Sequence, residues 1–248
     1  MTPALRKEYL AALGLQCWEL RAAKSVPAAQ PGRPEEPTPA ATATGPESGL
    51  AAVSPAALRE AACDWNELRS RVAACTRCAL SATRTQTVFG VGNPQAEWLI
   101  VGEAPGAEED RQGEPFVGRA GQLLNSMLRA LGLARADVYI ANVLKCRPPG
   151  NRDPSAKESA ECLPYLERQI ALLQPKILLA VGRIAAQNLL HTEVPLGRLR
   201  QKVYAFGALR VPLVVTYHPA YLLRTPADKR KAWEDLKFAR EVCERVQR

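Results

Sequence analysis

The chain has 248 residues, of which 47% are hydrophobic, and a formal net charge of +8 at pH 7. Its apolar runs fall short of the ~20 residues that a membrane helix needs, so no membrane span is expected. Charged residues interrupt the first ten positions, which argues against a secretory signal and for a cytoplasmic protein. In that compartment we expect the seven cysteines to be thiols or metal ligands rather than disulfides.

Two segments precede the part of the chain that is expected to fold. Residues 3–24 carry apolar side chains at helical spacing, which predicts an N-terminal helix within residues 1–24. Residues 25–55 are rich in Pro, Ala, Ser, Thr and Gly, a composition that predicts a disordered linker. The remaining residues, 56–248, are predicted to form the folded domain.

Strand and helix patterns alternate from about residue 60 onward. The four predicted strands are Glu97–Val101, Val138–Val143, Lys176–Val181 and Leu213–Tyr217. The predicted helices cover residues 119–132, 155–173, 183–190 and 226–246. Ser155 and Glu158 form a capping-box pattern, and Thr225 before Pro226 is a typical helix start. This alternation predicts an α/β fold with a central, mainly parallel four-stranded sheet flanked by helices on both faces.

Polar residues stand where three of these strands end. The first strand runs into Gly102-Glu-Ala-Pro-Gly106, with further acids at Glu109 and Asp110. Asn142 comes late in the second strand, and His218, one of two histidines, follows the fourth. Because ligands bind at the carboxyl ends of parallel strands, these residues predict one site there. A solvated acidic loop remains the alternative for the first of them.

The first 60 residues contain six basic and six acidic residues, so their net charge is zero. The remaining residues therefore carry the whole net charge of +8. Such a domain favours a polyanionic partner, nucleic acid first. Three cations that follow the second strand are expected to contact a nucleic-acid backbone: Lys145, Arg147 and Arg152. Gly182-Arg183, between the third strand and its helix, predicts either a phosphate cradle or tight strand–helix packing.

Four cysteines form a candidate metal site. Cys75 and Cys78 are a C-x2-C pair before the sheet, and Cys146 and Cys162 flank a proline-rich turn. Structural zinc usually takes two tight pairs, whereas iron–sulfur clusters tolerate wider spacing, so both metals stay open on spacing alone. Such a site would tie the loop after Asn142 to the segment before the first strand.

Together these residues resemble the family 4 uracil-DNA glycosylases, the iron–sulfur branch of that superfamily. The resemblance covers about residues 60–245. It rests on Gly102–Gly106 with Glu109-Asp110, Pro115–Gly121, Asn142 with Cys146–Arg152, His218-Pro219 and the four cysteines in order. It implies a three-layer α/β/α glycosylase fold, a catalytic domain over residues 56–248, a [4Fe-4S] cluster on the cysteines, and excision of uracil that leaves an abasic site.

The resemblance also implies the catalytic residues. Glu103, with the backbone around Ala104, would position the attacking water. His218 would hydrogen-bond uracil O2 as negative charge builds on the leaving base. The best-studied branch of the superfamily has an aspartate where Ala104 stands here, so a strong in-line base is absent.

The substrate-binding residues follow from the same resemblance. Phe116 would stack on the flipped uracil and Asn142 would read its Watson–Crick edge, while Gly102 and Ala104 would line the base pocket. The segment 221–224 would press into the minor groove.

The expected partner is therefore uracil-containing DNA, single- or double-stranded, bound by a monomer, and the N-terminal helix is where a protein partner would bind. One alternative is a non-catalytic iron–sulfur DNA-binding module associated with a polymerase. Another is a nucleotide-binding α/β enzyme, although the acids after the first strand would repel a phosphate.

Overall fold

The computed structural model of the protein describes residues 63–246. The predicted N-terminal helix and linker lie outside the described residues. None of the helices within the described part combines the length and the apolar character needed to cross a bilayer.

The described residues form one mixed, mostly parallel sheet. Its strands in chain order are β1 Val91–Gly92, β2 Trp98–Gly102, β3 Tyr139–Asn142, β4 Ile177–Val181, β5 Tyr204–Phe206 and β6 Val211–Thr216. They are arranged in the order β1-β3-β2-β4-β6-β5, and the four inner strands are parallel. These four are the predicted strands, which confirms the predicted core of the sheet. The two short edge strands pair antiparallel and were not predicted.

Eight α-helices accompany the sheet in the described part of the chain. They are α1 Trp65–Ala73, α2 Ala107–Gln112, α3 Arg119–Ala130, α4 Ala156–Leu173, α5 Arg183–Leu190, α6 Leu196–Leu199, α7 Pro219–Arg224 and α8 Lys229–Val246. Ser155 and Glu158 form the predicted capping box at the start of α4. The last helix was predicted to begin at Pro226, but Pro226–Asp228 is a 3₁₀ turn, and Thr225 makes no side-chain cap.

Alternating side chains of the inner strands enter two separate cores. Leu99, Val101 and Leu178 face the core that contains α1, α4 and α5. Ile100 and Leu179 face the other core, which contains α3, α7 and α8. Both faces of the parallel sheet are thus covered, which confirms the three-layer α/β/α architecture.

The strand register brings the polar strand ends together. Gly102 at the end of β2 pairs with Asn142 at the end of β3. Val181 at the end of β4 pairs with Thr216 at the end of β6, two residues before His218. Backbone pairing continues beyond β2, because the Leu144 N–H donates to the Glu103 carbonyl at 3.0 Å. The loops that follow all four strands therefore leave from the same edge of the sheet.

Candidate active site

A cleft of about 730 Å³ lies at the carboxyl ends of the parallel strands. Five of the six predicted catalytic and substrate-binding residues line it: Glu103, Ala104, Phe116, Asn142 and His218. The sixth, Gly102, lies directly beneath, against two of them. The residues come from the end of β3 and from the segments that follow β2 and β6, which the parallel sheet brings to one edge.

Phe116 forms one wall of the cleft. Its ring centroid lies 5.6 Å from that of the His218 imidazole, and the two planes are inclined by 32°. Gly102 allows this ring to approach the strand ends, because a Cβ at that position would lie 2.6 Å from Phe116 Cζ and would collide with Asn142 Oδ1. The three predicted base-contacting residues therefore surround one small volume.

Asn142 presents an unusual buried amide. The residue is 2% exposed, and its Oδ1 has no hydrogen-bond partner among the residues that the structure describes. An unsatisfied buried acceptor costs about 1–3 kcal/mol, so such atoms are rare in folded proteins unless a ligand completes them. Oδ1 thus provides an acceptor for an N–H group brought into the cleft.

Lys145 corrects one sequence-based expectation. It was predicted to contact a nucleic-acid backbone, but it is 1% exposed and cannot reach a bound strand. Its Nζ donates to the Asn142 carbonyl at 2.8 Å and to Gln169 Oε1 at 2.6 Å. Burial lowers its pKa to about 8. Lys145 therefore supports the backbone of Asn142 from below.

The other two cations of that loop are at or near the surface. Arg152 forms an ion pair with Glu158 at 2.6 Å, and Arg147 Nε donates to Asn151 Oδ1 at 2.8 Å. Arg152 and Asn151 also line the cleft. Their positions are compatible with contacts to a bound polyanion.

His218 is held in one protonation and tautomeric state. Its Nδ1 accepts a hydrogen bond from the Ala220 N–H at 3.1 Å, so the ring proton of the neutral imidazole resides on Nε2. Burial, reinforced by the charge of Arg224, lowers its pKa to about 4, although Glu109 acts in the opposite direction. At neutral pH the residue is thus an uncharged donor.

Gly182 packs directly against His218. A Cβ at Gly182 would lie 2.9 Å from the Cβ of His218. This contact supports the tight-packing interpretation of Gly182-Arg183 over the phosphate cradle. The Arg183 side chain instead forms an ion pair with Asp153 at 2.6 Å.

Glu103 is the acid that is available for chemistry. Burial, with a contribution from the negative charge of Asp153, raises its pKa to about 7, while Arg183 acts to lower it. A carboxyl group with this pKa can accept a proton near neutral pH. Sequence reasoning missed the ion pair of Asp153 and Arg183, because its members lie 30 positions apart in the chain.

The neighbouring acids have structural roles. Asp110 is buried and accepts hydrogen bonds from the Thr85 N–H at 2.9 and 3.1 Å. Glu109 caps α2 and accepts from backbone N–H groups of two loops. Glu109 and Asp110 thus organise loops through their hydrogen bonds, whereas Glu103 lines the cleft with a raised pKa.

Tyr217, which follows β6, was not predicted as a site residue, and Tyr221 in α7 was predicted only as part of the minor-groove segment. Tyr217 and Tyr221 flank His218 in the cleft wall and stack with ring centroids 5.1 Å apart.

In the predicted minor-groove segment 221–224, Leu222 is buried in the core at 1% exposure and cannot enter a groove. Arg224 is the exposed member of that segment and lines the cleft.

The four candidate cysteines line a second, smaller pocket together with Arg77 and Arg84. Arg84 Nη1 donates to Cys146 Sγ at 3.1 Å, and the Lys145 N–H donates to Cys162 Sγ at 3.2 Å. Such donors stabilise metal-bound thiolates, so the donor set fits a thiolate-ligated group. As placed, no three His, Cys, Asp or Glu side chains between residues 63 and 246 are arranged to hold a metal ion.

Comparison with known proteins identifies the relatives of this chain. A model of the uracil DNA glycosylase superfamily matches residues 89–237. A type-4 uracil-DNA glycosylase of Archaeoglobus fulgidus is 44% identical over 73% of this chain and 94% of its own length. The type-4 enzymes of Pyrobaculum aerophilum and Thermotoga maritima are 44% and 41% identical and are covered over 91% and 92% of their lengths.

Proposed function

This chain belongs to the uracil DNA glycosylase superfamily, and we propose that it hydrolyses the N-glycosidic bond of deoxyuridine in DNA, releasing uracil for base-excision repair. One observation carries this proposal. An aromatic ring, an amide with an unpartnered oxygen and a neutral imidazole converge on one cleft. These three groups match the face, the N3–O4 edge and the O2 atom of one pyrimidine.

The base is recognised after it has been extruded from the stack. Phe116 contacts its face, and base–aromatic stacking contributes about 1–3 kcal/mol. Asn142 accepts from uracil N3–H through Oδ1 and donates to O4 through Nδ2. Cytosine presents the reverse pattern at this edge and would leave both amide groups unpaired, so it is rejected.

His218 stabilises the leaving group. As the bond between C1′ and N1 breaks, its electron pair passes to the uracil ring and negative charge develops on O2. The Nε2–H of His218 donates to that oxygen, and the donor is already oriented by the Ala220 N–H. Preoriented donors of this kind typically contribute a factor of about 10²–10³ to the rate.

Glu103 positions the water and takes its proton. The water oxygen bonds to C1′ of the sugar from the face opposite the departing base, and its proton passes to the Glu103 carboxylate. The uracil anion then takes a proton from solvent, and Glu103 returns its own to solvent, so that neutral uracil leaves and the carboxylate is restored. With a well-stabilised leaving group, a weakly basic carboxylate is sufficient for this step. The raised pKa of Glu103 supports this role, because it permits both protonation states near pH 7.

The cations around the cleft would contact the phosphates on either side of the extruded nucleotide. Arg152, Arg183 and Arg224 line the cleft and are exposed. Phosphate contacts of this kind carry no sequence preference, as expected of an enzyme that acts wherever uracil arises. One copy of the chain supplies both the base-binding residues and these cations, so we propose that it acts as a monomer.

We propose that Cys75, Cys78, Cys146 and Cys162 hold a [4Fe-4S] cluster. The support is the common pocket of the four thiols, the two N–H···S donors and the similarity to type-4 enzymes. When bound, the cluster would cross-link the loop that follows Asn142 to the segment before the sheet. It takes no part in the cleavage step.

Release of free uracil from a defined oligonucleotide tests the activity. The wild-type protein should release uracil and leave an alkali-labile site, whereas the His218→Ala protein should bind the same DNA with little release. Binding by the wild type without release would instead favour a non-catalytic DNA-binding module.

Iron analysis of the purified protein tests the cofactor. Cys78→Ala should lower bound iron and remove the broad visible absorbance. Cys243→Ala provides the matched control, because Cys243 is buried but lies outside the pocket of the four thiols. Equal iron contents in both variants would contradict the assignment of ligands.

A further inference from the structure

A single carboxylate joins the two loops that form one side of the cleft. Glu109 Oε2 accepts from the Gly106 N–H at 3.1 Å, in the loop that follows β2. Glu109 Oε1 accepts from the N–H groups of Val117 and Gly118 at 3.0 and 3.1 Å, in the loop that precedes α3. We call this set of three hydrogen bonds the Glu109 clamp.

The clamp acts next to the residue that stacks on the base. Phe116 has a φ of +55°, a left-handed conformation that is unfavourable for a bulky side chain and persists only where its surroundings impose it. On its N-terminal side, Arg135 Nη2 donates to the Pro115 carbonyl at 2.6 Å. On its C-terminal side the clamp binds the next two N–H groups, so both ends of the turn are fixed.

Helix α3 also restricts the position of the turn that contains Phe116. A Cβ at Gly121 would overlap with the carbonyl group of Phe116, so the helix packs directly on the backbone of the turn. This contact limits how far the turn can shift, but it supplies no hydrogen bond. The clamp is therefore the polar interaction that links the stacking residue to the loop carrying Glu103.

We infer that Glu109 is a positioning residue, which holds Phe116 at the distance and inclination needed to stack on the extruded base. Both carboxylate oxygens accept from backbone N–H groups, so the contacts of Glu109 are with the two loops. Glu109 also lines the cleft and its charge raises the pKa of His218, but without that charge the imidazole would still be neutral at pH 7. This inference rests on the proposed function, because stacking matters only if a base enters the cleft.

Glu109→Gln tests the inference. The amide keeps one acceptor but turns an N–H₂ group toward backbone N–H donors, so part of the clamp is lost. We expect kcat/KM for uracil release to fall by roughly 5-fold to 150-fold, the range that corresponds to loss of one stacking contact. Amide hydrogen exchange at Val117 and Gly118 should become faster, a readout that does not depend on catalysis.

A double-mutant cycle separates positioning from a direct role. In a Phe116→Ala background there is no ring to position, so adding Glu109→Gln should cost less than about threefold. If the two losses multiply fully, Glu109 acts independently of Phe116 and the inference is overturned. Unchanged kcat/KM in Glu109→Gln alone would overturn it as well.

Asp110→Asn is the matched control. Its carboxylate also accepts from backbone N–H groups, but these belong to Thr85 and Gln86, away from the cleft. We expect this variant to lose thermal stability while keeping kcat/KM within about threefold of the wild type. Equal losses of kcat/KM in both variants would indicate a general effect of weakening α2 and would contradict the inference. If the wild-type protein releases no uracil, the proposed function itself fails.

Discussion

The raised pKa of Glu103 makes the rate of uracil release depend on pH in a defined direction. If Glu103 must be ionised to take the proton of the water, kcat/KM should rise with pH and level off above about pH 7. At pH 6 about one molecule in ten carries the ionised form, so the rate should be roughly tenfold below the plateau. His218, with a pKa of about 4, stays neutral throughout this range and should add no second limb above pH 5.

The two charges beside Glu103 provide perturbations of opposite sign. Asp153 raises the pKa of Glu103 and Arg183 lowers it. Asp153→Asn should therefore move the midpoint of the profile to lower pH, and Arg183→Gln should move it to higher pH. The absolute rate can fall in both variants, since both residues line the cleft, but the midpoint reports on Glu103 alone.

Single-turnover release from a uracil-containing oligonucleotide, measured in buffers of equal ionic strength from pH 5 to 9, gives the profile. Glu103→Gln should flatten it and lower the plateau. A wild-type profile that does not change between pH 5 and 8 would refute the role of Glu103, as would a pH-dependent limb that persists in Glu103→Gln.

Three further predictions concern the opposite wall, the base edge and the core. His218→Ala should lower the single-turnover rate by about 10²–10³, while affinity for DNA containing a non-cleavable deoxyuridine analogue, measured by fluorescence anisotropy, stays near that of the wild type. Asn142→Asp places a carboxylate against uracil O4, so release of uracil should fall relative to release of cytosine in a paired-substrate assay; unchanged selectivity would remove Asn142 as the reader of the edge. Leu222→Ala should lower the free energy of unfolding by about 2–5 kcal/mol in denaturant titrations, because this side chain is buried in the core rather than free to enter DNA.

Sequence patterns identified the inner strands because each is a short apolar run buried on both faces. The polar ends of those runs then located the cleft, since parallel strands deliver their carboxyl ends to one edge. The edge strands carried no such signal. Val91–Gly92 has two residues and Tyr204–Phe206 has three, so neither establishes an alternation pattern.

The roles of individual charges were harder to predict, because a sequence does not show which partner a charge finds. Lys145 resembles a surface cation in a basic loop, yet its amine is buried against Asn142 and Gln169. Glu103 and Glu109 stand six positions apart in one acidic segment. Only the fold reveals that one is desolvated with a raised pKa and that the other is used by three backbone N–H groups.

If Asn142 reads the base edge as proposed, its amide cannot distinguish uracil from every other pyrimidine. Thymine carries the same N3–H and O4 groups as uracil, so this side chain sorts pyrimidines into those with a protonated N3 and those without one. Thymine must therefore be excluded sterically, by atoms of the cleft that would contact its 5-methyl group. Under the proposed role of Asn142, selectivity against thymine therefore depends on the shape of the cleft beside C5, and a substitution that widened it there should allow thymine to be excised.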